Sequence, residues 1–96
     1  MKPSEALSLH QNEIKRIAAR YRLDNIRVFG SVLHDRDAEG SDLDLLVDPA
    51  AGTTLFDLGG AQVELQEVLG VPVELLTPGD LPQKFRESVL REAKPL

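Results

Sequence analysis

Two aspartates separated by one leucine, Asp42-Leu43-Asp44, open an apolar run that continues as Leu45-Leu46-Val47. In an extended strand successive side chains point to opposite faces. Asp42 and Asp44 therefore share one face, while Leu43, Leu45 and Val47 share the other and can anchor the strand in a core. Val73-Glu74-Leu75-Leu76 has the same pattern, a carboxylate followed two positions on by a leucine, as Asp44 is followed by Leu46. If these two strands are neighbours in register, Glu74 stands beside Asp44. Three carboxylates on one face repel one another, and the cluster makes physical sense chiefly if a divalent cation neutralises it. Magnesium suits the role, because it takes hard oxygen ligands from one or two carboxylates and completes its shell with water and phosphate oxygens.

Gly30-Ser31 supplies the complementary half. A glycine at the end of a strand lets backbone N–H groups approach phosphate oxygens closely, and Ser31 adds a hydroxyl donor. A helical turn beginning there would favour negative charge at its N-terminus. Phosphates held between such donors and metal ions are the layout of a two-metal phosphoryl or nucleotidyl transfer site, with one ion activating the attacking oxygen and the other holding the leaving pyrophosphate. Other chemistries lack support. Gly59-Gly60 has the flanking pattern of neither a Rossmann turn nor a P-loop, and no Ser-His-Asp order occurs. His10 and His34 have no companions at ligand spacing and read as surface residues.

The elements that must position these residues follow from periodicity. From Pro3 to Arg22, Leu7, Ile14, Ile17, Ala18 and Tyr21 recur at three- and four-residue spacing, which predicts one amphipathic helix. Ile26-Arg27-Val28-Phe29 is a short strand ended at Gly30, and Ser31 to Gly40 is a polar connection. Leu43 to Val47 is the second strand, stopped by Asp48-Pro49. Thr53 or Thr54 caps a helix to about Leu69, although Gly59-Gly60 weakens its first half by about 1 kcal/mol per glycine. Val71 to Leu76 is a third strand, Thr77-Pro78-Gly79-Asp80 a turn, and Pro82 to Ala93 a last helix whose Lys84, Arg86, Arg91 and Lys94 read as a solvated face. The order predicts an α+β fold, a small mixed sheet packed with helices. The link between the first two strands allows either a long antiparallel hairpin or a short crossover.

Ninety-six residues suffice for a single domain spanning 1–96. The net charge of −5 argues against a module that neutralises many phosphates of a nucleic acid. Without cysteine there is neither a disulfide framework nor a thiolate metal site, which fits a reducing compartment. No apolar run is long enough for a signal segment or a membrane span, so the expected location is the cytoplasm.

Gly30-Ser31, followed after ten residues by Asp42-Leu43-Asp44, resembles the signature of the DNA polymerase β-like nucleotidyltransferase superfamily. Val28-Phe29-Gly30-Ser31-Val32-Leu33 and Ser41-Asp42-Leu43-Asp44-Leu45-Leu46-Val47-Asp48 resemble its minimal nucleotidyltransferase branch, as do Val73-Glu74-Leu75-Leu76-Thr77-Pro78 and the closing Leu90-Arg91-Glu92-Ala93. The resemblance implies a polymerase β-like nucleotidyltransferase fold, with Asp42 and Asp44 as ligands of magnesium, two ions in number. Glu74 would be the third acidic ligand and an aid to deprotonating the acceptor. Gly30, Ser31 and Ser41 would hold the nucleotide, with ATP as substrate. It further implies an antitoxin that transfers AMP to a tyrosine hydroxyl of a partner HEPN ribonuclease toxin. Two departures stand out. Many relatives carry Arg-Gly where this chain has His34-Asp35, leaving a phosphate contact either missing or moved to Arg36, and the third acidic position is often Asp. Alternatives are an antitoxin that neutralises by binding alone, and a transferase acting on a small molecule such as an aminoglycoside.

Overall fold

Leu43, Leu45 and Val47 are fully buried, so the strand that carries them must have neighbours on both sides. In the computed structural model, which describes all residues from Met1 to Leu96, this strand, β2 (Leu43–Pro49), lies between β1 (Leu23–Phe29) and β3 (Val73–Leu76). A two-residue strand, β4 (Lys94–Pro95), lies outside β1, giving the order β3-β2-β1-β4. β1 is antiparallel to both β2 and β4, whereas β2 and β3 are parallel. The sheet is therefore mixed, and the link between the first two strands is the long antiparallel connection. The parallel pair is joined by α4 (Leu55–Leu69), the crossover helix such a pair requires.

α4 has both of its expected ends. The Thr54 hydroxyl accepts the Asp57 N–H at 3.2 Å while the Asp57 carboxylate accepts the Thr54 N–H at 2.8 Å, a capping box. Gly70, with φ 68°, closes the other end in the left-handed region. The helix continues without a break through Gly59-Gly60. On the sheet, alternation sends Val28, Leu43, Leu45, Val47, Val73 and Leu75 to one face. There they join Ile14, Ile17 and Ala18 of α2 (Gln11–Arg20) and Ala61, Leu65 and Leu69 of α4 in one core. No polar or charged residue is buried, so the carboxylates stand on the other face.

α5 (Gln83–Glu92) joins the segment that follows β3 at one edge of the sheet to β4 at the other. Its 10 residues, about 15 Å of helix, match the three strand spacings, about 14 Å, that separate the β3 edge from the β4 edge. Leu46 of β2 and Leu81, just after the short 3-10 turn Pro78–Asp80, are buried but stand outside the main core. Arg86 of α5 is not simply solvated: it donates to the carbonyl oxygens of Leu81 at 2.9 Å and Gly79 at 3.3 Å, fastening the start of α5 to the turn before it.

The structure corrects the single helix expected from Pro3 to Arg22. α1 (Pro3–Leu9) and α2 are separate, and His10, at φ −122° and ψ 24°, ends one and begins the other. The cause is a tether distant in sequence. The Ser4 N–H donates to the Asp37 carboxylate at 2.9 Å and the Met1 amino group to Glu39 at 2.7 Å, so α1 is held to the 34–41 loop while α2 packs on the sheet. β1 begins earlier than expected, at Leu23. A bulge makes this possible: Asn25 has φ 51° and the register shifts between Asp24 and Arg27. β2 runs on to Pro49, whose missing N–H is tolerated at a strand end. β4 is an addition.

Because Leu45 is fully buried at the centre of this arrangement, Leu45→Ala should lower unfolding free energy by about 2–5 kcal/mol, measured by urea denaturation. A loss below about 1 kcal/mol would place the centre of the core elsewhere.

Candidate active site

The register of the parallel pair builds the site. Leu43 is opposite Val73, Asp44 opposite Glu74 and Leu45 opposite Leu75, so the two carboxylates emerge side by side on the face away from the core. The antiparallel pair adds the third component. Phe29 is opposite Asp44, so the chain leaves β1 at the level of that carboxylate and turns through Gly30 into the one-turn helix α3 (Gly30–Leu33).

Gly30 is required there for two separate reasons. Its φ of 74° lies in the left-handed region. A Cβ at this position would also collide with an Asp44 carboxylate oxygen, lying 3.0 Å from Cγ and 3.2 Å from Cβ of that residue. The backbone and the Asp44 side chain touch only because the side chain of residue 30 is missing. α3 then presents the N–H groups of its first turn without helical acceptors. Ser31 is half-buried and its hydroxyl is not engaged within the chain. Ser41 is engaged: its Oγ accepts the Ala38 N–H at 2.9 Å, closing the loop just before Asp42.

The electrostatics are one-sided. Burial, then a hydrogen bond with Glu74, then the negative charges of Glu74 and Asp42, push the Asp44 carboxyl from the ordinary 3.8 up to about 6. The structure thus brings Asp44 and Glu74 into contact, while Asp42, exposed just ahead of β2, acts on Asp44 only through its charge. The three do not converge as one three-ligand group. No cation of the chain answers them. Arg27, on the same face and 11% exposed, is committed to Asp48 at 2.8 Å and to the Asn25 carbonyl at 2.9 Å. A set of hard oxygen donors with uncompensated charge fits a divalent cation such as magnesium.

Two further groups border the site. The Arg36 N–H donates to the Ser31 carbonyl at 2.8 Å, which places this arginine beside α3 with its side chain exposed. His34, the residue that ends α3, is 3.3 Å from Glu92 at the end of α5, a link between elements that no local sequence pattern announces. A cavity of about 420 Å³ lined by Glu13, Arg16, Ile17 and Arg20 lies on α2, across the sheet from the carboxylates.

Comparison with known proteins gives the family of the chain. The profile of the nucleotidyltransferase domain family matches residues 11–96. The chain belongs to that family. A protein of Methanocaldococcus jannaschii named "putative protein adenylyltransferase" is 36% identical over 86 residues, covering 85% of this chain and 92% of that one. The protein adenylyltransferase MntA of Thermococcus cleftensis is 31% identical over 86 residues, covering 90% and 84%. Among solved structures, a minimal nucleotidyltransferase superposes with a TM-score of 0.86 at 40% identity, covering 97% of this chain and 95% of that one. A toxin–antitoxin complex with AMP-PNP contains the same fold, at a TM-score of 0.74 and 21% identity, over 88% and 70%. This chain is thus a nucleotidyltransferase of the minimal type, with the mixed sheet expected of it.

Two outcomes follow from the contacts around Asp44. Gly30→Ala should cost about 1–3 kcal/mol from the left-handed backbone alone and displace Asp44 as well, so both the melting temperature and nucleotide affinity should fall. Unchanged affinity in a folded variant would remove Gly30 from the site. The raised Asp44 value means that the folded protein holds a proton the unfolded chain releases between 3.8 and about 6. Stability should therefore decline as pH rises through that window. Asp44→Asn should flatten the decline and stabilise the metal-free protein at pH 7 by on the order of 1 kcal/mol, discounted for solvent screening of a half-exposed group. Calorimetry across pH checks it, and an unaltered profile contradicts it.

Proposed function

We propose that this nucleotidyltransferase is the adenylylating antitoxin of a toxin–antitoxin pair, a single catalytic domain that transfers AMP from ATP to a tyrosine hydroxyl of a HEPN-type toxin. The observation that carries the reading is the uncompensated carboxylate pair Asp44–Glu74, in parallel register and in contact with the glycine turn at Gly30. The names of the relatives support a protein acceptor, since two that match over most of their length are called protein adenylyltransferases. A toxin as that acceptor is supported by the fold neighbours described as MntA–HepT toxin–antitoxin complexes, and a nucleotide ligand by the neighbour described with AMP-PNP.

In this reading the Asp44–Glu74 pair holds magnesium, Asp42 at the start of β2 is drawn to the same charge as a further ligand, and the N–H groups of Gly30 and Ser31 with the Ser31 hydroxyl hold triphosphate oxygens. Ser41 acts on the nucleotide side by fixing the loop ahead of Asp42. Bound magnesium would supply charge neutralisation to the triphosphate and a lowered barrier to deprotonating the acceptor. The acceptor oxygen forms a bond to the α-phosphorus as the bond to the bridging oxygen of pyrophosphate breaks. The hydroxyl proton passes to Glu74, the carboxylate beside Asp44. Arg36, exposed and joined through its backbone to Ser31, would meet the departing pyrophosphate in this reading.

The test is incubation with α-labelled ATP, magnesium and a HEPN protein encoded beside this chain, with label followed onto the toxin. Transfer should depend on magnesium and fall by about a thousandfold or more in Asp42→Ala or Asp44→Ala. Absence of label on the toxin at stoichiometric enzyme would overturn the reading. Neutralisation that survives in the Asp42→Ala/Asp44→Ala double variant would assign the antitoxin effect to binding alone.

A further inference from the structure

α4 is apolar on both sides. Ala61, Leu65 and Leu69 form its buried face, yet Leu55 is 85% exposed, Phe56 91%, Val63 53% and Val68 36%. Asp57, Gln62, Glu64 and Gln66 make its two flanks polar, but large apolar side chains on the outward line have no layer to pack against, since α2 and β3 cover only the inner side. At about 100° per residue, Phe56, Val63 and Glu67 fall on one line directly opposite Leu65, with Gly59 and Gly60 between the first two. The two glycines differ. A Cβ on Gly60 would lie 3.0 Å from the Tyr21 ring, so close packing inside the chain explains it. A Cβ on Gly59 would meet nothing within 4 Å, although glycine inside a helix costs about 1 kcal/mol relative to alanine. Packing within the chain does not require glycine at position 59.

We infer that the outer face of α4 is the interface of a homodimer, in which the α4 helices of two copies pack antiparallel about a twofold axis at Gly59-Gly60. The surface is self-complementary in the way such an axis demands. The midpoint between Phe56 and Val63 falls at Gly59-Gly60, so Phe56 of one copy meets Val63 of the second copy twice over, and Gly59 lets the backbones approach. The charges also agree. Arg22, 61% exposed, stands at the N-terminal end of α4, 4.0 Å from Asp57. Glu67 is exposed in the last turn and has no partner within the chain. A cation at the N-terminus and an anion at the C-terminus both oppose the dipole of their own helix. Antiparallel packing sets Glu67 of each copy beside Arg22 of the other and opposes the two dipoles. The centre of the patch is uncharged, which matters for a chain of net charge −5 that otherwise repels its own kind. The face lies across the sheet from Asp44 and Glu74, so both sites stay open to an acceptor.

One helix pair buries less than the roughly 800 Å² per partner of a standard interface, so the dimer should be weak and is sought across a range of concentrations. Sedimentation velocity of the isolated full chain, from low to high micromolar, should show a concentration-dependent dimer. Phe56→Glu should leave only monomer, with an unchanged circular dichroism spectrum. Gly59→Ala should move two readouts in opposite directions, raising the melting temperature of the monomer while weakening the dimer at least tenfold. Leu90→Glu, at an exposed apolar site on α5, should leave the dimer intact. A wild-type chain that stays monomeric throughout overturns the inference, as does a dimer that Phe56→Glu leaves intact or Gly59→Ala strengthens. These readouts are masses and melting curves, independent of any transfer activity.

Discussion

The parallel register of β2 and β3 is the constraint on which everything else depends. It places Asp44 opposite Glu74, and a slip by one residue would send one of the two carboxylates into the core and a leucine into solvent. The core therefore guards the site. Leu43 and Leu45 on one strand, Val73 and Leu75 on the other, are all buried on the same face, and their burial fixes on which side, and at what level, the acids emerge. α4 sets the parallel direction, and its Thr54 cap and Gly70 terminus fix where the crossover starts and stops.

The same constraint creates a cost. Two carboxylates in contact, one of them half-buried, with a third close by and Arg27 of the same face committed to Asp48, form an arrangement that the fold tolerates rather than prefers. Its clearest sign is the proton that Asp44 retains up to about 6. Stability and function pull in opposite directions here, as is common where acids are held for chemistry. The glycine turn belongs to the same compromise. Gly30 yields its side chain so that backbone donors and Asp44 can share one small space, and the glycine turn is thereby built against the carboxylate pair.

Much of this was legible in the sequence, for local reasons. Alternation alone placed Asp44 and Glu74 on one face of their strands, because a period of two leaves no other choice once Leu43, Leu45, Val73 and Leu75 are assigned to the core. Thr54 and Gly70 are strong end signals and α4 has the bounds they suggest. What was not legible depends on contacts far apart along the chain. The break at His10 has no glycine or proline to announce it and arises from α1 being tied to Asp37 and Glu39. β4 is two residues long, contains Pro95, and exists only because β1 offers it an edge. β1 begins early through a bulge at Asn25, a residue type that reads locally as a turn. The His34–Glu92 link joins the ends of two helices and leaves no periodic trace.

If a cation completes the carboxylate site, the Asp44 carboxyl carbon reports it directly. A ¹³C-detected pH titration of this carboxyl should find a midpoint near about 6 in the metal-free protein and a clear downward displacement once magnesium and a non-hydrolysable ATP analogue are added. A midpoint that magnesium and nucleotide leave where it was, or one already at the ordinary carboxylate value without them, would contradict it.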